Sequence, residues 1–228
     1  MLASRVPGAA SSTSQIFKSS RKTDLRSHRA PVTTQAFFKK LFGSEKGMGS
    51  GTSKSATEEW IPSPSAGVAE RKISKSGFDI TPLTTEKLKK YSAGLTSFQK
   101  EVAFKAGTER AFTGKTIDGS SHDNKRKGIY VGSVGGLPLF SSDTKYNSGT
   151  GWPSFWAPID PEHVIEITDK SIPFMSRVEV VDARSGAHLG HVFTDGPRPT
   201  GRRYCMNAAA LKFIPDGEPL PEESKPVQ

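Results

Sequence analysis

RVEVVDARSGAHLGHVF, residues 177–193, carries the clearest secondary-structure signal in the chain. Polar and apolar residues alternate over residues 177–181, which is typical of a strand with one buried face. Residues 182–186 supply a turn with Asp, Ser and Gly, and residues 190–193 then read as a returning strand. We therefore predict a β-hairpin here, and with it an antiparallel sheet.

Further short strands are predicted on both sides of this hairpin. Residues 128–131 and 137–140 read as strands around the turn Gly135-Gly136, and residues 203–213 are a final strand candidate. Before them, Thr84 precedes a helix start, and apolar residues at helical spacing follow it. Strands of this length with frequent turns favour an antiparallel, mostly β domain preceded by short helices.

The 228 residues divide into four predicted segments. Residues 1–43 are basic, Ser-rich and poor in acids, which is typical of an organellar transit peptide. Residues 44–83 are rich in Gly, Ser, Thr and Pro and are predicted to be a flexible linker. The catalytic domain is predicted over residues 84–215, and residues 216–228 are predicted to be a disordered tail.

Charge and cysteine content limit the classes of function. The net charge is +9, but the first 44 residues hold eight Lys and Arg against one Asp, so +7 of it belongs to the N-terminal segment. A nucleic-acid-binding face on the domain is therefore not expected. No apolar stretch has the roughly 20 residues that a membrane-spanning helix needs. A single cysteine favours a reducing compartment, and we predict a plastid, with the mitochondrion as the alternative.

Cys205 is that single cysteine, and its neighbours bear on its reactivity. On a strand, Arg203 and Asn207 would project from the same face as Cys205, while Tyr204 and Met206 would face the core. A nearby cation lowers the pKa of a thiol and so favours the reactive thiolate. The alternative is an inert, buried cysteine that packs as a small apolar residue.

Two other groups of residues are candidates for the same site. His188 and His191 would point to opposite faces of a regular strand, but they converge at a strand entry or bend. They are then either structural or a pair that donates a proton or binds an anion near the thiol. Asp195 could orient an imidazole or pair with Arg203. Trp152 follows a glycine-rich turn and could form an apolar wall.

Six separate segments resemble one family, the type B methionine sulfoxide reductases, which reduce the R epimer of methionine sulfoxide. The resemblance covers about residues 95–214. The matching segments are residues 107–114 (GTERAFTG), 138–140 (PLF), 148–155 (SGTGWPSF), 188–193 (HLGHVF), 195–197 (DGP) and 199–207 (PTGRRYCMN).

This resemblance implies a fold of two antiparallel sheets, as a sandwich or tent-like domain with short N-terminal helices. It also implies that Cys205 attacks the sulfoxide sulfur and becomes a sulfenic acid. His188, His191 and Asn207 would position a water or protonate the leaving oxygen, while Arg203 and Asp195 would orient the set. Trp152 would hold the methyl group on sulfur, and Phe193 is the second substrate-binding residue.

Two features depart from the pattern of the family. Many members bind a structural zinc through two Cys-x-x-Cys pairs, and the aligned residues here are Gly132, Gly135, Asp182 and Ser185, so no zinc is expected. Thr150 stands where members with a resolving cysteine commonly place it. We therefore expect an external thiol, either thioredoxin or glutathione with glutaredoxin, to reduce the sulfenic acid.

The same residues also fit two alternative functions. Cysteine and histidine also serve hydrolases, in which the thiolate attacks an acyl carbon. A non-catalytic binder could keep the fold with an aromatic pocket. We expect a monomer that acts on oxidised proteins or free methionine sulfoxide, and the sequence does not separate these two substrates.

Overall fold

The structure, a computed structural model, describes residues 70–172 and 175–227, and the side chains of residues 169–176 are left out of the description. The predicted transit peptide, residues 1–43, and the linker up to residue 69 lie outside the described residues. The helices are α1 (Thr85–Ser92) and α2 (Ser97–Lys105). The strands are β1 (Gly128–Gly132), β2 (Pro138–Ser141), β3 (Lys145–Tyr146), β4 (Ser154–Phe155), β5 (Val164–Ile172), β6 (Met175–Asp182), β7 (His188–Phe193), β8 (Arg203–Met206) and β9 (Leu211–Pro215).

The strands form two antiparallel sheets. One has the order β2-β1-β9, and the other has the order β3-β4-β8-β7-β6-β5. Every pairing in both sheets is antiparallel. This confirms the predicted mostly β fold with two antiparallel sheets and short N-terminal helices. No helix in the described part of the chain is long and apolar enough to cross a membrane.

Each helix begins at a threonine that caps it. The hydroxyl of Thr84 accepts from the backbone N–H of Lys87, and that of Thr96 accepts from Gln99. The Gln99 side chain accepts in return from the backbone N–H of Thr96, which completes a capping box. The helix start predicted at Thr84 is confirmed.

Aromatic rings join the two sheets in the core. Phe140 of β2 stacks on Phe155 of β4 with 4.5 Å between ring centroids. Tyr130 of β1 meets Phe155 edge to face at 5.1 Å. All three rings are at most 1% exposed. Buried aromatic side chains supply much of the apolar area that holds two sheets together. The contacts of Phe155 therefore anchor the short strand β4, and with it the loop that precedes β4, to the core.

The predicted hairpin of residues 177–193 is formed by β6 and β7. At its β7 end the register is irregular, since Val180 pairs with Gly190 but Val181 pairs with His188. One extra residue, Leu189, is therefore accommodated on β7 as a β-bulge. The bulge changes which side chains of β7 share a face, and this is what positions the two histidines.

The folded part extends beyond the predicted domain limits at both ends. The Arg184 guanidinium donates to the carbonyl oxygens of Asp79 (2.6 Å), Gly135 (2.8 Å) and Glu223 (2.6 Å). Ser224 is fully buried and donates its hydroxyl to Gly136. The segment 216–227, expected to be disordered, thus contacts the domain through Glu223 and Ser224, although most of its residues are exposed, and the expected linker contacts it through Asp79. One backbone carbonyl in each segment accepts from the buried Arg184 side chain, a long-range contact that composition does not reveal.

Candidate functional site

Cys205 lies in the middle of β8, and its strand neighbours form a row across the six-stranded sheet. It pairs with Ser154 of β4 on one side and with His191 of β7 on the other. His191 in turn pairs with Glu179 of β6. Directly paired residues of antiparallel strands present their side chains on the same face. The register therefore aligns Ser154, Cys205, His191 and Glu179 on one face, opposite to the core residue Tyr204.

Hydroxyl groups surround the thiol on the β4 side. Thr150 Oγ1 lies 3.8 Å from Cys205 Sγ, and it is hydrogen-bonded to Ser148 at 2.8 Å. The Ser148 hydroxyl also bonds that of Ser154 at 2.7 Å. The position at which the family resemblance places a resolving cysteine is therefore occupied by a hydroxyl in contact with the thiol.

Burial raises the pKa of the Cys205 thiol above its usual value, although Thr150, Arg203 and Ser154 act in the opposite direction. The expected effect of Arg203 is present, since its charge lowers the pKa of Cys205, but burial is the larger effect. Arg203 does favour the thiolate, but desolvation of the partly buried sulfur outweighs its charge. Burial thus disfavours the thiolate of Cys205, so a proton acceptor near the sulfur would assist its attack.

Arg203 is held by a bidentate pair with Asp195. Its Nε and Nη2 donate to the two carboxylate oxygens at 2.8 Å each. The Arg203 side chain is 13% exposed and that of Asp195 is 64% exposed, so Asp195 is the solvent-facing member of the pair. The guanidinium also stacks on the ring of Phe193 with 4.3 Å from Cζ to the ring centroid. The predicted pairing of Asp195 with Arg203 is confirmed, and Phe193 supports Arg203.

The bulge on β7 brings the two histidines together. The ring centroids of His188 and His191 are 5.5 Å apart in an edge-to-face arrangement. A regular strand would have placed them on opposite faces. Gly190 between them packs so closely on the backbone of Cys205 that a Cβ at this position would overlap the Cys205 carbonyl. The convergence proposed from the sequence is therefore confirmed, and the bulge is its cause.

His188 is the buried member of this pair, and Glu179 holds it. His188 Nδ1 lies 2.7 Å from Glu179 Oε1, and the side chains are 1% and 3% exposed. The other ring nitrogen, Nε2, is buried and has no hydrogen-bond partner in the described structure. Glu179 therefore fixes Nδ1 of His188, while Nε2 remains available for another hydrogen bond.

Asn207 does not share the exposed face with Cys205, because β8 ends at Met206. Asn207 is 3% exposed, accepts from the backbone N–H of Glu109 at 3.0 Å and donates to the Leu189 carbonyl at 3.1 Å. The expected alternation therefore holds for Arg203, Tyr204, Cys205 and Met206 and fails one residue later. Asn207 joins β7 to the segment that carries Glu109.

The Trp152 indole is positioned by that same segment. Its Nε1 donates to the Glu109 carbonyl at 3.1 Å, and the backbone N–H of Phe112 donates to Gly151 at 2.8 Å. The Glu109 carboxylate accepts from the backbone N–H groups of Ala208 and Ala209. Glu109 thus links the turn that carries Trp152 with the chain that follows Cys205.

Sequence reasoning missed Glu109 and Glu179 as members of the site. Glu109 lies inside the segment GTERAFTG, yet a lone acid there gives no sign that it will be buried. Glu179 occupies a polar position in the alternation of β6, which is normally read as solvent-facing. The one sequence signal was the predicted hairpin, which places Glu179 on the strand that pairs with the strand of the two histidines.

At the positions where the family resemblance places zinc-binding cysteines, Asp182 makes buried contacts with backbone groups. Asp182 is fully buried, and its Oδ1 accepts from the backbone N–H groups of Arg184 at 2.8 Å and Ser185 at 2.9 Å. A Cβ on Gly132 would overlap Asp182 Oδ2. Over residues 70–172 and 175–227, no group of three or more His, Cys, Asp or Glu is arranged to hold a metal ion.

Comparison with known proteins gives consistent matches. The SelR domain family matches residues 95–215. A peptide methionine sulfoxide reductase MsrB from Caulobacter vibrioides is 43% identical over 150 residues, covering 66% of this chain and 91% of that protein. Proteins of the same name from Hahella chejuensis and Pseudomonas aeruginosa are 49% identical over 130 residues and 51% identical over 121 residues. These cover 57% and 53% of this chain, and 89% and 87% of the relatives.

Proposed function

Because this chain belongs to the SelR-domain family of methionine-R-sulfoxide reductases of type B, we propose that it reduces methionine R-sulfoxide with Cys205 as the nucleophile. The observation that carries the proposal is the direct pairing of Cys205 with His191. This pairing sets a thiol beside a histidine on one face of the sheet, on the strand that also carries Arg203. General acid groups of this kind typically contribute about 10²–10⁴-fold to a rate.

The reaction proposed here transfers one oxygen atom and two electrons. The Cys205 sulfur attacks the sulfoxide sulfur, the S–O bond of the substrate breaks, and the oxygen ends on the Cys205 sulfur. The thiol proton passes to the oxygen, so the products are methionine and a Cys205 sulfenic acid. Because burial raises the pKa of Cys205, a base must take this proton, and His188 and His191 are the groups that can deliver it to the oxygen.

The remaining residues hold the reacting groups. Arg203, fixed by Asp195, stabilises the thiolate as it forms. Trp152, tied to the Glu109 carbonyl, offers an apolar ring to the methyl group on sulfur. Phe193 supports the Arg203 guanidinium at the substrate side. Asn207 uses its amide to hold Glu109 and Leu189, so its role is to position the neighbours of Cys205.

Recycling is proposed to depend on an external thiol, because Cys205 is the only cysteine of this sequence and its hydroxyl neighbour Thr150 cannot form a disulfide. A first thiol condenses with the sulfenic acid and releases water, leaving a mixed disulfide. A second thiol displaces Cys205 and leaves as a disulfide. Thioredoxin and glutathione with glutaredoxin both supply such thiols, and no cofactor or zinc enters the scheme.

The test uses purified R and S sulfoxides with dithiothreitol, thioredoxin or glutathione with glutaredoxin as the reductant. We expect methionine only from the R epimer, and none with Cys205→Ser. After one turnover without reductant, intact mass should rise by one oxygen atom. Turnover of the S epimer alone, or cleavage of peptides or esters by Cys205 without oxidation of thiol, would refute the proposal. Retained binding of the sulfoxide without any turnover would instead assign a binding protein.

A further inference from the structure

We propose that Glu179 is a positioning residue for the reduction step: it fixes the orientation and protonation of His188, and through it the proton delivery at Cys205. This inference rests on the proposed function. Glu179 does not touch Cys205, and two inter-strand spacings, about 10 Å, separate their backbones. Its effect on the reaction must therefore pass through the histidine pair.

The contact between Glu179 and His188 is the first observation. The 2.7 Å distance joins Oε1 to Nδ1, and both side chains are almost completely buried. A carboxylate only accepts hydrogen bonds, so the proton in this bond belongs to Nδ1. The tautomer of a histidine is set by the hydrogen bond that its other nitrogen makes. Glu179 therefore leaves Nε2 of His188 as the nitrogen that exchanges protons.

The unpartnered nitrogen is the second observation. Nε2 of His188 is buried without a hydrogen-bond partner, although a buried polar atom in this state is costly. The ring of His188 meets that of His191 at 5.5 Å, and His191 is opposite Cys205 in the register. A buried nitrogen kept unpaired, on a ring that meets the histidine opposite the nucleophile, suits a proton carrier better than it suits a packing residue.

The register supplies the third observation. Ser154, Cys205, His191 and Glu179 occupy one row across β4, β8, β7 and β6. The bulge on β7 then turns His188 toward this row. When the imidazole takes the thiol proton it becomes positive, and the Glu179 carboxylate compensates that charge inside the protein. When the proton moves on to the sulfoxide oxygen, the pair returns to its original state and no proton is gained or lost.

The experiment measures methionine formed in a single turnover without reductant, so that recycling does not enter. Glu179→Gln keeps the volume and one hydrogen-bond acceptor but removes the charge, and Glu179→Ala removes both. We expect the maximal rate to fall about 10-fold or more for Gln and further for Ala, within the range of general acid effects, with the substrate concentration at half-maximal rate unchanged. Formate, a small carboxylate, should restore part of the rate of the Ala variant and none of the Gln variant.

Glu166→Gln is the matched control, since Glu166 is an acid of the same sheet that contacts Arg202 and Tyr204 rather than a histidine. If the Glu179→Ala variant does not fold, the rate of the Glu179→Gln variant alone tests the inference. A Glu179→Gln rate equal to that of the control, or a change confined to the half-saturating concentration, would overturn the inference while leaving the proposed function intact. An inactive wild-type protein would instead remove the proposed function, and this inference with it.

Discussion

Replacing Asp182 by Asn is expected to stabilise the protein at neutral pH and much less in mild acid. The carboxyl is completely buried, and burial raises its pKa from 3.8 to about 6, although the backbone N–H groups of Ser185 and Arg184 act against this. Its Oδ2 has no hydrogen-bond partner in the described structure. Above pH 6 the folded chain therefore holds a buried negative charge. Only the hydrogen bonds to Oδ1 and the nearby charge of Arg184 compensate it.

The sign and size follow from linkage. A carboxyl with a raised pKa binds its proton more tightly in the folded state, so its contribution to stability is fully present below pH 3.8 and is lost as pH rises through 6. The difference between the two pKa values of Asp182 corresponds to about 3 kcal/mol, of which about 2 kcal/mol falls between pH 4.5 and pH 7.5. Asn keeps the Oδ1 contacts and is never charged, so this loss disappears in the variant.

The measurement is the free energy of unfolding by urea at pH 4.5 and pH 7.5 for both proteins. The stability of Asp182→Asn relative to wild type should rise by about 2 kcal/mol between these two pH values. Asp118→Asn is the control, because hydrogen bonds from Ser120 and Phe213 outweigh burial and lower the pKa of Asp118 below 3.8. Its effect should therefore be nearly constant over the same pH interval. A relative stability of Asp182→Asn that does not change with pH would refute the reasoning.

Three further predictions concern the site and the C-terminal segment. Gly151→Ala should lower the free energy of unfolding by about 1–3 kcal/mol more than Gly149→Ala does, and it should lower turnover. Both glycines have positive φ, but only at Gly151 would a Cβ lie 2.7 Å from a neighbouring backbone nitrogen. Equal thermal unfolding and equal activity of the two variants would contradict this. Arg203→Met should raise the pKa of Cys205 further, so its alkylation by iodoacetamide should shift to higher pH, and a shift to lower pH would be inconsistent. Arg184→Lys should speed hydrogen exchange in the C-terminal segment, since an ammonium cannot span three carbonyls; unchanged exchange would exclude this clamp.

The secondary structure was largely predictable, because it depends on short-range patterns. The alternation in residues 177–181 and the turn at 182–186 predicted the hairpin that β6 and β7 form. Thr84 was identified as a helix cap for the same reason, since its partner lies three residues away. The limits of the domain could not be predicted in this way, because the C-terminal segment contacts the domain through the distant Arg184 side chain.

The site was predictable in membership but not in arrangement. Cys205, His188, His191 and Arg203 were all singled out, and the structure brings them together on or beside one row of the sheet. Asn207 was expected on the same face as Cys205, but β8 ends at Met206, and the buried Asn207 side chain bonds Glu109 and Leu189 instead. Glu109 and Glu179 were overlooked, because a polar residue in a strand gives no local sign of burial.

By itself, the sequence determined the elements of this protein, the identity of its single thiol and its family, because these are properties of local pattern and composition. Tertiary structure alone decided which residues face each other, since the bulge at Leu189 that unites His188 with His191 exists only through pairing with β6. It also decided the state of Cys205. The sequence shows a cation two residues away, but whether charge or desolvation prevails depends on how much of the sulfur the fold removes from water.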